Sequence, residues 1–432
     1  MECTESFTTL LSEFRCVFTA PSFQIFPYLM TGWVLTHRRR FVTELIWSSG
    51  CTRRGHHSRY HRFFSQAAWV LDVLCMVLAK LVVRVFAPTG PIELAVDDTL
   101  CRKRGLTVYG TGMHHDLLIS SRAKPLVSWG HDWVVLTLIV RCPFWAPTKV
   151  WSLGIAFRLY RNRQGVTKGK KRKQKKPKQP KRQKHDPNHR TRPELAVELI
   201  SLVASWFPTR KLLVTGDSAY GGASVLRKLP ANVELISHVH PKGALYEPAP
   251  DRQPGTLGAG RKKGERLPGM AEWADDFRRP WKQLLFNQFG LHATLLVKTM
   301  QALYYKAGKD RLLTISARWS IEVTFENCKQ LLGLEDPANR KEKAVRRTAP
   351  MALVLHSLIV VWFHQEGHRY LQFPDRPWYP WKEEPSFADM LTTLRRLSWQ
   401  EKFRTLPIKS RLAKKALAQI IEFLSLAVRF GC

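Results

Sequence analysis

Acidic residues are scarce in this chain. Asp and Glu number 34 against 69 Lys and Arg among 432 residues, which leaves a formal net charge of +35. This excess goes far beyond what solubility requires and predicts a polyanionic partner, of which the extended kind is nucleic acid. A basic protein that binds membranes or acidic partners is the alternative. We favour nucleic acid because the positive charge is spread along the whole chain and is accompanied by 15 Trp.

The eight Cys lack the spacing of a metal site or of a disulfide framework. No two of them form a C-x-x-C pair, which argues against a structural zinc site and against a disulfide-stabilised fold. Paired His occur at 56–57 and 114–115, again without zinc-site spacing, and we expect them to be polar loop residues. A reducing cytoplasm is therefore the expected compartment.

Long uncharged hydrophobic runs are also missing. The two most apolar stretches are 67–87, which carries three charged residues, and 351–363, which is too short to cross a bilayer. Glu2 and Glu5 stand where the basic region of a signal peptide would lie. We therefore expect no membrane partner.

Hydrophobic periodicity and turn residues divide the chain into five regions. Apolar spacings of three and four predict helices in residues 1–88, and an alternation of strands and helices after the Pro-Thr-Gly-Pro boundary predicts an α/β core. The predicted regions are a helical DNA-binding or assembly region (1–88), the first part of the core (89–235), a β-rich insertion (236–310), a helix with the end of the core (311–366) and a helical C-terminal region (367–432).

Two basic segments are candidate nucleic-acid contacts. Within an insertion at about 161–187, residues 168–184 hold 11 Lys or Arg and no apolar residue, so we expect this insertion to be disordered. A basic connector also joins the predicted helices 41–47 and 60–66. The alternatives are a solvated loop and a plain helical bundle. The candidate contacts are Arg53, Arg54, Lys170, Lys171, Arg172 and Lys173.

Three acids that lie far apart in sequence form the candidate catalytic set. Asp97 and Asp217 each end an apolar strand, and Glu322 lies on a predicted helix. At about 100° per residue, Arg318, Glu322 and Lys329 fall within about 40° of one another, beside an apolar stripe. Cleavage of a phosphodiester needs an activated hydroxyl and a stabilised leaving oxygen, and two carboxylate-bound divalent ions supply both.

Two other acids compete for these roles. Asp98 adjoins Asp97, and Glu326 lies about 40° further round the helix than Glu322. Taken singly, each acid could also be an ordinary cap or turn carboxylate. The helix cations could instead pair with Glu322 and Glu326 within the helix.

The three motifs, in this order, resemble the cut-and-paste insertion-sequence transposases of bacteria, which belong to the DDE superfamily and have an RNase H-like core. The first motif matches residues 96–99, where Thr99 follows Asp97 by two, and the second matches residues 217–221. The third matches the Arg-x3-Glu-x6-Lys part of a Tyr-Arg-Glu-Lys signature, whose Tyr position is Ile315 here. The resemblance covers about residues 40–366.

The resemblance implies an α/β fold in which an RNase H-like catalytic core is interrupted by a β-rich insertion and flanked by helical terminal regions. It implies that Asp97, Asp217 and Glu322 hold two Mg²⁺ ions, for which Mn²⁺ could substitute, and it favours Asp97 over Asp98 through Thr99. Arg318 and Lys329 would contact DNA phosphates near the scissile bond.

As partners, the resemblance implies double-stranded DNA, namely terminal inverted repeats and a target, bound by a homodimer. The expected location is the cytoplasm, associated with the nucleoid. Two other functions stay open at this point. One is a transposase-derived DNA-binding protein that does not cleave, and the other is an RNase H-like nuclease acting on RNA or hybrids.

Overall fold

The computed structural model describes residues 3–121, 123–163, 189–237, 244–250, 260–278, 280–288, 291–298, 302–303, 319–373, 381–404 and 410–426. In chain order, the elements are α1 (Glu5–Ser12), α2 (Ala20–Leu35), α3 (Val42–Ser49), α4 (Ser58–Ser65), α5 (Leu71–Phe86), β1 (Ile92–Arg102), β2 (Gly112–His115), β3 (Val127–Arg141), β4 (Val150–Tyr160), α6 (Arg192–Trp206), β5 (Leu212–Gly216), α7 (Ala223–Leu226), β6 (Val233–Ser237), α8 (Met270–Asp275), β7 (Lys282–Gln288), β8 (Leu291–Val297), α9 (Trp319–Gln330), α10 (Glu342–Thr348), α11 (Pro350–Gln365), α12 (Phe387–Phe403) and α13 (Arg411–Ser425).

Aromatic packing joins α2 and α4 with the segments that precede α2 and α5. The ring of Phe18 lies 4.8 Å from that of Phe26 and 5.5 Å from that of Phe63, and Phe63 lies 5.3 Å from Trp69. At Gly32, α2 crosses α3 so closely that a Cβ would collide with the backbone of Leu45. The helices predicted for this region are present, and they form one buried cluster with the rest of the core.

The central sheet has the strand order β4–β3–β1–β5–β6. Strand β1 is antiparallel to β3 and parallel to β5, and β3 is antiparallel to β4. The short β2 lengthens the β4 edge, because Gly130 of β3 pairs with Arg102 on one side and with Gly112 on the other. Three antiparallel strands are thus followed by two parallel ones, as continuous apolar strands with helical crossovers allow.

Helices cover both faces of this sheet. On one face, the Oγ1 of Thr324 in α9 donates to the carbonyl of Ser152 at 2.7 Å. On the other, Arg158 binds Asp72 of α5 and Glu198 of α6. These two β4 residues face opposite sides, although both have even numbers, because a β-bulge opposite Leu136/Thr137 shifts the alternation between them. The predicted fold class, α/β with an RNase H-like core and helical terminal regions, is confirmed.

In the insertion, the described residues contain an antiparallel pair, β7 with β8, and the short helix α8. The strands agree with the β-rich character predicted there. The boundaries of the five regions remain a prediction.

Helix α11 is a buried core helix. Together, α10 and α11 form the stretch Glu342–Gln365, which is long and apolar enough to cross a membrane. Its most apolar 18-residue segment is 94% buried inside the protein, as is usual for the core helix of a globular protein. The Oγ of Ser357 donates to the carbonyl of Gly154 at 3.0 Å, which fixes α11 to the sheet.

Helix α11 also carries a histidine that should make the fold acid-sensitive. His356 is fully buried, its ring stacks on Phe387 at 4.3 Å, and neither ring nitrogen has a hydrogen-bond partner among the described residues. Burial lowers the pKa of His356 to about 3. Because the folded protein holds the neutral form, this residue stabilises the fold above pH 6.5, and that contribution is lost as the pH falls from 6.5 towards 3.

Between pH 7 and pH 5, we expect the wild type to lose about 2 kcal/mol more of its stability than His356→Leu loses. The variant has no histidine at this position to take up a proton. Urea unfolding at the two pH values measures this difference. Leu358→Met, a nearby and equally buried substitution, should keep the wild-type pH dependence. Equal losses in His356→Leu and the wild type would contradict the assignment.

Candidate active site

Two acids lie side by side where the parallel pairing of β1 with β5 ends. The prediction that Asp97 ends its strand is wrong, because β1 stays paired with β3 as far as Arg102. Val96 of β1 and Gly216 of β5 form the last pair of the β1–β5 ladder. Asp97 and Asp217 are the next residues on the two strands. Neighbouring strands lie about 4.8 Å apart, so the sheet brings these two acids together, Asp217 just after β5 and Asp97 in the middle of β1.

Local hydrogen bonds hold both carboxylates. The Oδ1 of Asp217 accepts from the Ala219 amide at 2.9 Å, and the carbonyl of Asp217 accepts from the Ser237 Oγ at 2.6 Å. The Oδ1 of Asp97 accepts from the Asp98 amide at 2.9 Å. Both acids are half-buried. The turn after β5 is therefore fixed by its own backbone and by β6.

Asp97 and Asp98 face opposite sides of the sheet, because side chains alternate along a strand. Asp98 accepts from the Tyr220 hydroxyl at 2.7 Å and lies 3.3 Å from the Arg192 Nε. Asp97 shares the other face with Cys101. Burial raises the pKa of the Cys101 thiol to about 12, partly offset by the nearby Lys329 ammonium of α9. Helix α9 therefore covers the face of Asp97, not that of Asp98.

Helix α9 buries the stripe that its sequence predicts. Ile321, Phe325 and Cys328 are at most 6% exposed. Glu322, in the first turn, and Lys329, in the last, are half-buried beside this stripe. Glu326 is exposed and accepts from the Gln330 Nε2 at 2.9 Å. Of the two helix acids, Glu322 thus lies nearer the protein interior.

The N-terminal helical region holds the C-terminal end of α9. The Trp33 Nε1 donates to the Leu332 carbonyl at 2.8 Å, and the Arg40 guanidinium donates to the Leu331 carbonyl. The Arg40 amide donates to Asp336 at 3.0 Å. A buried guanidinium at this end satisfies carbonyls that a helix leaves unpaired and complements its dipole. The orientation of α9 is therefore coupled to the N-terminal helices.

The structure describes only some of the cations that are predicted to bind DNA. Arg53 and Arg54 are exposed in the turn between α3 and α4, where the Arg54 guanidinium lies 5.1 Å from the centre of the Tyr28 ring. The others lie outside the described residues, namely Arg318, Lys170, Lys171, Arg172 and Lys173.

The chemistry of the donors fits hard divalent ions. Asp97 and Asp217 supply carboxylate oxygens at adjacent positions, and Glu322 lies on the helix that covers the face of Asp97. Across the described ranges, no group of three or more His, Cys, Asp or Glu side chains is close enough to hold a metal ion. The parallel pairing of β1 with β5 therefore sets two of the three predicted ligands side by side, and the third, Glu322, lies on α9, which covers the face of Asp97.

The face of Asp98 carries a buried polar cluster that the sequence analysis missed. Asp132 has a side chain only 1% exposed, and Arg192 pairs with both Asp132 and Asp98. The Arg192 guanidinium also lies 4.6 Å from the centre of the Tyr160 ring. Burial raises the pKa of Asp132, an effect that Arg192 opposes. The available signal was an acid directly before a nearly continuous apolar run, the position that Asp132 has before residues 133–140.

His114 belongs to the same cluster. Its Nδ1 lies 3.8 Å from the Asp132 Oδ2, and burial lowers the pKa of His114 to about 4. The prediction that His114 is a polar loop residue is wrong, because it lies in β2 and is 3% exposed. Strand β2 was not recognised because only four residues form it.

The strand order, the helices on both faces and the paired acids at the β1–β5 edge define an RNase H-like protein with an acidic site. A family model described as DDE superfamily endonuclease matches residues 13–287, and the chain belongs to that family. No curated protein matches the chain. The family match includes Asp97 and Asp217 and ends before α9.

Family membership confirms the resemblance to DDE transposases and makes the protein a nuclease- or transposase-type enzyme that acts on DNA. Enzymes of the DDE type generally use divalent metals. The Tyr-Arg-Glu-Lys branch remains a prediction, because the matched residues do not include that signature.

Proposed function

We propose that this protein is a DNA transposase that binds transposon ends and carries out metal-dependent strand cleavage and strand transfer. The observation that supports it best is the pairing of Val96 with Gly216, which sets Asp97 beside Asp217 at the end of the parallel β1–β5 ladder. Membership of the DDE superfamily endonuclease family supports the same reaction class.

In this proposal, Asp97, Asp217 and Glu322 hold two Mg²⁺ ions, with Mn²⁺ as a substitute. When bound, such ions activate the attacking hydroxyl and stabilise the leaving oxygen. The protein's own contribution is to fix the carboxylates. The Ala219 amide orients Asp217, and the Asp98 amide orients Asp97.

The cationic side chains bind and orient the DNA. Lys329, on the face that α9 shares with Asp97, would neutralise a phosphate near the scissile bond, and Arg318 would do so with a forked pair of donors. Arg53 and Arg54, together with Lys170, Lys171, Arg172 and Lys173, would bind phosphates further away. Because many phosphates are contacted, binding should weaken steeply with salt.

We further propose a homodimer on DNA, because two transposon ends must be held together before they are joined. Double-stranded DNA, as terminal inverted repeats and as target, is the proposed partner. A cytoplasmic, nucleoid-associated protein agrees with this partner and with the net charge of +35.

Nicking of a supercoiled plasmid tests the proposed function. The plasmid would carry the inverted repeats that flank the coding region. We expect nicks at the repeat ends in Mg²⁺ or Mn²⁺ and none in EDTA, with an unrelated plasmid of equal size as the control. Repeat binding without nicking in either metal would favour a non-cleaving transposase-derived protein. Preferential cutting of an RNA–DNA hybrid would favour an RNase H-like nuclease.

A further inference from the structure

The turn between β2 and β3 exposes a group of large apolar side chains. Leu117 is 80% exposed, Leu118 is 77% exposed and Ile119 is 49% exposed. Met113 on β2 and Val127 on β3, which flank the turn, are also about half exposed. Isolated exposed apolar residues are common, but a contiguous set marks a contact surface. We call residues 117–119 the apolar tip.

The apolar tip is held in place by a built network. The carboxylate of Asp116, a residue only 2% exposed, accepts two hydrogen bonds from the Arg102 guanidinium, at 2.8 and 3.0 Å. It also accepts from the Ser128 Oγ at 2.6 Å and from the Leu118 amide at 3.2 Å. The tip is therefore preorganised, and its apolar side chains are presented to solvent by a fixed backbone.

The apolar tip lies further along β1 and β3 than Asp97, past the ends of these two strands. Asp97 of β1 pairs with Val135 of β3, and β3 begins at Val127. Eight residues of strand separate these positions by about 26 Å. A turn of B-DNA spans about 34 Å. One duplex bound at the acids could therefore also reach the tip, within one helical turn.

Charge around the tip selects the class of partner. Within residues 102–130, Arg104 and Lys124 are exposed cations, and the single acid, Asp116, is buried and already paired with Arg102. A second copy of this chain would bring a further net charge of +35 to the same surface. A polyanion removes this repulsion. Proteins that kink DNA insert Leu, Ile or Met between base pairs, beside cations that bind phosphates.

We propose that the apolar tip inserts into DNA at a base step and unstacks it. Arg104 and Lys124, which are exposed, bind the adjacent phosphates. This inference rests on the DNA-acting function proposed above and adds a second, apolar contact to it. The unstacked base step would lie within one helical turn of the cleavage site, on the same duplex that is bound at Asp97 and Asp217.

The test measures binding in EDTA, so that no strand is cut. The probes are a fully paired duplex and the same duplex with a short central mismatch, each carrying 2-aminopurine beside that position. A mismatch has already lost stacking, so the wild type should bind the mismatched duplex about tenfold more tightly than the paired one. On the paired duplex, binding should raise the 2-aminopurine fluorescence, because the base step becomes unstacked. Leu117→Ser/Leu118→Ser/Ile119→Ser should lose the preference and the rise in fluorescence, while its salt dependence is unchanged.

Two further variants separate apolar from ionic contact. Arg104→Ala/Lys124→Ala should weaken binding to both probes and reduce the slope of log K against log [salt] by about 2. Leu412→Ser, at a residue 83% exposed on α13, should behave as the wild type.

Several outcomes would overturn the inference. It fails if the triple variant keeps the mismatch preference, or if fluorescence does not change in the wild type. It also fails if the variant changes only the oligomeric mass in light scattering, which would make the tip a protein–protein contact. Wild-type protein that binds neither probe would overturn the proposed function as well, whereas an unaltered triple variant alone would leave that function standing.

Discussion

Asp217→Asn should reduce metal-dependent nicking by about 10³-fold or more while leaving DNA affinity within about twofold of the wild type. The reason is that the substitution removes the charge that a divalent ion requires but preserves the shape of the side chain. The amide oxygen of Asn can still accept from the Ala219 amide, as Asp217 does at 2.9 Å. The turn after β5 should therefore stay folded. Nicking of the repeat-carrying plasmid and a gel-shift assay in EDTA measure the two quantities.

Three substitutions serve as controls for this result. Asp97→Asn should match Asp217→Asn. Asp98→Asn should keep most of the nicking, because Asp98 faces Tyr220 and Arg192 and not α9. Glu234→Gln, in an exposed pair with Lys211, should have no effect. Nicking at the wild-type rate by Asp217→Asn would remove the assignment of the site, and an exchange of the Asp97 and Asp98 results would show that the wrong acid was chosen.

The sequence predicts the strand end before Asp217, but it predicts neither that β1 continues past Asp97 nor that the two acids meet. Asp97 and Asp217 stand out because each directly follows a short, mainly apolar segment, which is a local signal. Their proximity depends on the parallel pairing of β1 with β5, and these strands are separated in sequence by β2, β3, β4 and α6. No periodicity in either segment specifies that pairing. The family resemblance could supply it, since it implies a known strand order.

The polar cluster on the other face could not be predicted for a different reason. Asp132, Arg192 and His114 come from β3, α6 and β2, and their importance comes from burial. Burial is a property of packing and not of the residue type. No sequence pattern predicts the β-bulge opposite Leu136/Thr137 either, although it decides which side of the sheet Arg158 and the later residues of β4 face.

Arg192→Met should destabilise the protein by about 2–4 kcal/mol at pH 7. Arg192 is the cation that pairs with Asp132, whose side chain is 1% exposed, so its removal leaves a buried carboxylate without a counter-ion. The expected loss lies below that of a fully buried pair, because the Arg192 side chain itself is 34% exposed. Met replaces the aliphatic part of the Arg side chain and has a good helix propensity, so α6 should still form. Urea unfolding measures the change.

The double variant Arg192→Met/Asp132→Asn separates the ion pair from simple loss of packing. If the buried charge is responsible, the second substitution should restore most of the lost stability, as a double-mutant cycle would show.

Acid should have a similar effect on the single variant. Burial raises the pKa of Asp132, and without the opposing cation that pKa rises further, so protonation on lowering the pH removes the unpaired charge. The stability difference between Arg192→Met and the wild type should therefore shrink as the pH falls. The reason is that Asp132, whose pKa is raised in the folded protein, stabilises the fold only below that pKa. A deficit that stays constant with pH and is unchanged in the double variant would show that Arg192 acts through packing on Tyr160 and not through its charge.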